Sequence, residues 1–309
     1  MINKKLLSKE ESVLFSIAGH FIEVIGPNTT DWGQILPSFK PFRYHSLDGR
    51  EAVCSIRIVE EPMDVELGPA KVLNEVFGVL GYWTCLMETK KNYIFDVQFI
   101  ENGNCYRMVS DKNFSTATAY IDQKDKLAGT VLSSFLMIVF AQSAVFHKTL
   151  LIHASVVEKE QKGYAFLGKS GTGKSTHSSL WLQYLEGVEL LNDDNPAIRV
   201  EDDGKMYVYG TPWSGKTPCY KNRRVELKAL IRLEQAKRNS FTWREGTEAL
   251  IALLPSCSSM RWNSQLYTAM CDLLEKIIGK VKVGYLECLP DKEAALLCYE
   301  ETKNINYKY

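Results

Sequence analysis

Apolar residues in the first third of the chain recur at alternate positions; further along, that spacing is interleaved with a helical one. Val13-Leu14-Phe15-Ser16-Ile17 and His20-Phe21-Ile22-Glu23-Val24-Ile25 are β-branched and aromatic runs, interrupted by Gly19 and ended by Gly26-Pro27. A loop carrying Pro37 and Pro41 follows, then strands over 52–59, 82–87, 93–100 and 105–109. Lys91-Asn92 and Asn102-Gly103-Asn104 read as hairpin turns between the last three strands. Residues 71–77 fit a short helix. The pattern predicts a β-rich N-terminal domain over 1–126, built on a small, largely antiparallel sheet, with a recognition or partner role.

Residues 127–309 read differently. Strands at 150–157, 164–167, 188–191, 196–200, 205–209, 229–233 and 281–288 alternate with helices at 174–185, 245–254, 264–278 and 292–302. Turns fall at 158–163 and at Asp203-Gly204. The expected class is therefore α/β, a mixed β-sheet flanked by helices, preceded by the smaller β-rich domain. Residues 129–146 carry no charge over 18 positions, close to a minimal membrane-spanning length. Thr130, Ser133, Ser134, Gln142 and Ser143 within it, and His147-Lys148 after it, favour a buried helix joining the two domains.

Composition narrows the function classes. At 309 residues, with 45% hydrophobic and 24% charged positions, the chain has room for two cores. The 37 basic and 37 acidic residues cancel, so no net field draws nucleic acid or an anionic membrane, and neither is an expected partner. Eight scattered cysteines form no C-x-x-C pair and no zinc-spaced group with histidine, which points to reduced thiols in a cytoplasmic protein. The basic start, Met1 to Leu7, is interrupted by Glu10 and Glu11 and does not read as a signal peptide.

The strongest chemical signal is Gly168-Lys169-Ser170-Gly171-Thr172-Gly173-Lys174-Ser175, a complete G-x-x-x-x-G-K-[ST] phosphate loop. Gly168, Gly171 and Gly173 lack a Cβ, so the backbone can curl and turn its N–H groups toward phosphate oxygens, with Ser170, Thr172 and Thr176 alongside. A helix starting near Lys174 adds the positive end of its dipole. The Lys174 ammonium reaches β- and γ-phosphates, and the Ser175 hydroxyl suits Mg²⁺. Tyr164-Ala165-Phe166-Leu167 before the loop and Ser178-Ser179-Leu180-Trp181-Leu182 after it supply the strand and helix this motif requires. His177 is expected on the helix surface.

Asn192-Asp193-Asp194 ends a predicted strand. Side chains of adjacent residues on an extended segment diverge, so one carboxylate can serve a metal while the other takes a proton from an attacking hydroxyl. His153 lies in the apolar strand Ile152-His153-Ala154-Ser155. Residues 210–216 form a loop in which Trp213 would stack on a base or pack beneath it; Lys216 would reach a γ-phosphate or the loop would cover the acceptor, the alternative being a plain structural turn. Lys221, Arg223 and Arg224 form a basic run, either solvated or a dock for an acidic peptide or phosphate. Arg261-Trp262 precedes the 264–278 helix without a spacing that assigns it a role.

Together, Ile152-His153-Ala154-Ser155-Val156-Val157, the phosphate loop and Asn192-Asp193-Asp194 resemble the core of the HPr serine kinase/phosphorylase family, which is related to phosphoenolpyruvate carboxykinase. The resemblance spans roughly residues 150–300 and implies an HPr-kinase-like nucleotide-binding domain over 127–309. It implies ATP and Mg²⁺ as cofactors, Asp193 as base toward an acceptor serine, His153 tuning it, and Asp194 with Ser175 serving the metal. Lys174 would complete the catalytic set. The second, Gly-rich signature of true HPr kinases is missing. The 210–216 loop and Leu227-Lys228-Ala229-Leu230-Ile231-Arg232-Leu233-Glu234-Gln235 resemble HPr-kinase-related proteins instead, which counts against HPr as substrate and against phosphorolysis. The implied activity is transfer of a γ-phosphate to a hydroxyl, serine above all, of a protein or peptide. A small-molecule kinase of the same core, a nucleotide-binding regulatory protein without turnover and a simple ATPase remain alternatives, and self-association is left open.

Overall fold

The computed structural model describes residues 10–63, 68–78, 82–99, 103–215 and 217–305. The N-terminal heptad, Ile100, Asn102 and Lys216 therefore lie outside the described residues. The chain divides into two compact units, Met1–Ser143 and Ala144–Tyr309.

In the first unit the alternation becomes strands β1 (Glu10–Ile17) and β2 (His20–Pro27), helix α1 (Trp32–Ile35), and strands β3 (Arg43–Tyr44), β4 (Ala52–Val59), β5 (Lys71–Gly78), β6 (Tyr82–Glu88), β7 (Asn92–Phe99), β8 (Cys105–Asp111) and β9 (Thr116–Tyr120). Among the described residues these strands form one sheet in the order β3-β1-β2-β4-β9-β8-β7-β6-β5. Neighbours are antiparallel except at β2–β4 and β4–β9, which are parallel. The predicted helix at 71–77 is instead the edge strand β5. Its Val72, Leu73 and Val76 suit either element, and the open edge of β6 captures them along its whole length. The uncharged stretch forms α2 (Ala128–Ser143), which packs on β4 and β8 and buries Val131, Leu132, Phe135, Leu136, Val139 and Phe140. It groups with the first unit, so the division falls after Ser143 rather than at 126–127. The 20-residue run 128–147 is apolar enough to cross a membrane, with mean hydropathy 1.8, yet 61% of its most apolar window is buried within the fold.

The second unit follows the order β10 (Thr149–Leu151), β11 (Ala154–Lys159), β12 (Lys162–Leu167), α3 (Lys174–Tyr184), β13 (Val188–Asp194), β14 (Ala197–Val200), β15 (Met206–Tyr209), β16 (Arg224–Gln235), β17 (Ser240–Arg244), α4 (Gly246–Leu253), α5 (Ser264–Ile278), β18 (Lys282–Cys288) and α6 (Lys292–Lys303). The sheet is mixed, as expected, in the order β10-β14-β15-β16-β12-β11-β13, with β18 beside β16 and β17 beyond it. β12 and β18 run parallel to β16. Alternation along β12 divides the core into two layers. Ala165 and Leu167 face Ala249, Leu253, Met270 and Leu274 of α4 and α5, whereas Tyr164 and Phe166 face Trp181 of α3 and Ala294 and Cys298 of α6.

The predicted strand 150–157 is broken at Ile152-His153, and that break builds the site. Two residues separate β10 from β11, and two separate β13 from β14. At ~3.6 Å of reach per residue, the two ends of the strand order must close on one another there. The Ile152 N–H donates to Pro196 O at 3.1 Å across the closure, and the His153 N–H donates to Ser256 O at 2.7 Å.

Candidate active site

The phosphate-loop residues fold as strand, loop and helix. β12 ends at Leu167, the loop occupies 168–173, and α3 begins at Lys174. Each glycine answers a different demand. Gly171 and Gly173 adopt φ values of 82° and 99°, a region that penalises a Cβ. A Cβ on Gly168 would collide with the Thr172 hydroxyl, which donates to Lys169 O at 2.8 Å and closes the turn. Ser170 and Thr176 are exposed on the loop and the first turn of α3.

Lys174 is buried, and its ammonium donates to Gly168 O at 3.0 Å, Lys169 O at 3.4 Å and His153 Nε2 at 2.9 Å. Nε2 accepts from the ammonium, and on the other side of the ring Nδ1 lies 3.0 Å from Asp194 Oδ1, an ion-pair contact. One imidazole thus stands between the loop lysine and a carboxylate, hydrogen-bonded to the first and in ion-pair contact with the second. Burial pulls the Lys174 pKa below the usual ammonium value, Asp194 and Asp193 oppose that, and the nearby Arg232 guanidinium adds to it.

The two carboxylates have separate partners, as their divergence on a strand predicts. Asp193 is buried and accepts from the exposed Ser175 hydroxyl at 2.9 Å. Asp194 is about a third exposed, at 36%, and its other oxygen accepts from Asn195 Nδ2 at 2.8 Å. The carboxylate paired with Ser175 is therefore Asp193, not Asp194, and the one paired with His153 is Asp194. Asp194 also carries a φ of 147°, a strained value for a non-glycine residue, fixed by register opposite Ala154 and by a bridge to Ser214.

The 210–215 loop braces this pair. The Gly215 N–H donates to Asp193 O, and a Cβ on Gly215 would stand 3.3 Å from the Asp194 Cβ. Thr211 is fully buried and donates to Asn195 O at 2.7 Å. Trp213 is buried at 5% exposure, which leaves no face for a nucleotide base. The basic run is spent on the fold. Lys221 and Arg223 both pair with Glu189, Arg223 also with Glu158, and Arg224 with Glu201.

His177, expected on the helix surface, is instead 2% exposed. The α3 face it shares with Trp181 packs on Phe166, the Trp181 indole N–H donates to it at 3.1 Å, and burial pushes its pKa down to about 4. Sequence reasoning also missed the support from β16 and the α4–α5 connection, Gln235, Arg232 and Ser256, because no local pattern ties those positions to the loop.

Mg²⁺ fits this arrangement through the donor set itself. Ser175 Oγ and the Asp193 carboxylate are hard oxygens at the helix start, the chemistry Mg²⁺ accepts alongside phosphate oxygens. Among the described residues no group of three or more His, Cys, Asp and Glu could hold a metal alone, so phosphate oxygens and water would complete the shell. A cleft of about 500 Å³ in the first unit, lined by Arg57, Asn92 and Asp111 among others, has no comparable chemistry. Its Asp111 is committed to Ser115 and Thr116.

No protein-family model matches the chain, and no curated protein matches it. Among solved structures it is similar to the Hpr(Ser) kinase/phosphatase from Coxiella burnetii, at 13% identity and a TM-score of 0.29, over 50% of this chain and 94% of that one. A score that low says nothing about the site, whose chemistry is read from its own residues.

Proposed function

We propose that this protein is an ATP- and Mg²⁺-dependent phosphotransferase that moves a γ-phosphate to a hydroxyl, serine above all, of a protein or peptide. The observation that carries the reading is the convergence of a complete phosphate loop with two differently partnered carboxylates, Ser175–Asp193 and His153–Asp194. The protein or peptide acceptor rests on the motif resemblance of 152–157, 168–175 and 192–194.

Backbone amides of 168–173 and the Lys174 ammonium hold the phosphates and oppose their charge. Ser175 and Asp193 would hold Mg²⁺, which when bound would supply positive charge against that of the phosphates. Asp194, the more open carboxylate, takes the proton from the acceptor hydroxyl as its oxygen bonds to the γ-phosphorus and the bond to the β-phosphate oxygen breaks, releasing ADP. His153 holds Asp194 in place from behind. These assignments exchange the roles that the motif resemblance gives Asp193 and Asp194, because only Asp193 meets Ser175.

The test is label transfer from γ-labelled ATP with Mg²⁺ in a lysate of the source organism. Wild type should label a discrete protein or peptide, and Asp194→Asn should lower the rate by ~10²–10⁴ while ATP affinity is kept. Asp193→Asn should instead raise the Mg²⁺ concentration required. Label on a small molecule would replace the acceptor class, free phosphate alone would make the protein an ATPase, and full transfer by Asp194→Asn would remove it as the base.

A further inference from the structure

The carboxyl end of β16 lies against the phosphate loop. Leu233 O stands 3.4 Å from the position a Gly168 Cβ would take, and Gln235 Nε2 donates to Gly171 O at 3.1 Å. Arg232 is in register with Leu167, the last strand residue before the loop, and shares with Leu230 the sheet face covered by α4 and α5. Its guanidinium reaches Ser256 Oγ at 3.4 Å, and Ser256 O in turn holds the His153 N–H. Arg232 is thus placed beside the segment that positions His153 and close to the loop lysine.

What sets Arg232 apart is its lack of a counter-ion. Lys221, Arg223 and Arg224 are each paired with glutamates. Arg232 is partly buried and makes no ion pair among the described residues; its hydrogen bond there is the long one to Ser256. A guanidinium removed from water without an anion is costly, and its flat fork of donors matches phosphate oxygens. The Lys174 ammonium, anchored by His153 and two loop carbonyls, is a compact point charge and does not supply such a fork.

We propose that Arg232 is a ligand of the terminal phosphate of the bound nucleotide and so makes the site prefer a nucleoside triphosphate over the diphosphate. The inference rests on the nucleotide reading above and adds a specificity-determining residue to it.

The experiment compares binding of Mg²⁺ with ADP and Mg²⁺ with a non-hydrolysable ATP analogue, by calorimetry, in the full chain. Wild type should favour the triphosphate. Arg232→Gln should weaken the triphosphate ~10-fold or more, as expected for loss of a charge-assisted contact, and leave ADP within ~2-fold. Arg232→Lys, which keeps the charge but loses the fork, should fall between them, and it stands in for the glutamine variant should that one not fold. Equal weakening of both nucleotides would make Arg232 a packing residue acting through Ser256, and unchanged affinity for both would remove it from the site; either result overturns the proposal while the nucleotide reading survives. Wild type binding neither nucleotide would overturn both.

Discussion

Asp193 and Asp194 are neighbours in sequence and opposites in environment. One is buried against a helix-start hydroxyl, and the other is about a third exposed and tied to an imidazole. The motif marks the pair from sequence alone, but which carboxylate faces which partner depends on the β11–β13 register, and that is a long-range fact. His177 teaches the same lesson on a smaller scale. Its position one turn into α3 is legible, yet its burial depends on Phe166 across the layer. Because its folded pKa lies near 4 and the unfolded value near 6.5, the unfolded chain binds the extra proton between those pH values. Stability is therefore full above about pH 6.5 and falls as pH drops toward 4, by up to ~1.4 kcal/mol per pH unit from this residue. Urea midpoints at pH 7, 6 and 5 should show that fall in wild type. His177→Gln, whose amide oxygen can still accept from Trp181, should flatten it by the same amount, whereas equal slopes in both proteins would remove His177 as its source.

At the scale of elements, the phosphate loop was fully legible because its constraints are local: a strand, three glycines with distinct duties, and a helix start. Gly168→Ala tests the tightest of them. The added methyl meets the Thr172 hydroxyl, so the turn must open. We expect a loss of nucleotide affinity of ~10-fold or more with a stability cost of ~1–3 kcal/mol, read by calorimetry and urea denaturation. Unchanged affinity would mean that the loop tolerates an opened turn. Elements held by their neighbours were harder to read. β9, Thr-Ala-Thr-Ala-Tyr, lacks the bulk that advertises a strand and is held between β4 and β8. Local sequence carries no strand signal at β17 and a helical one at β5, and pairing with β18 and β6 outweighs that weak local preference. The break at Ile152-His153 was invisible within an uninterrupted apolar run, although it is what carries His153 to the carboxylates.

At the scale of the whole molecule, the proposed phosphate site, residues 153–256, lies entirely in the second unit, and the first presents a different kind of surface. Its edge strand β5 exposes Val72, Val76 and Phe77, the last at 71%. Unpaired edges of this kind promote association, and a chain with balanced charge has little net repulsion to oppose it. Phe77→Lys should reduce concentration-dependent association in sedimentation runs without altering nucleotide affinity; unchanged association would place any self-contact elsewhere.

The central claim is that Gly168 to Ser175 holds nucleotide phosphates through Lys174. Equilibrium binding of ATP with Mg²⁺ to wild type and to Lys174→Ala tests it most directly. The account predicts saturable binding by wild type and a loss of ~100-fold or more in the variant, which keeps the fold but lacks the buried ammonium. Absence of binding by wild type, or equal affinity in the two proteins, would contradict it.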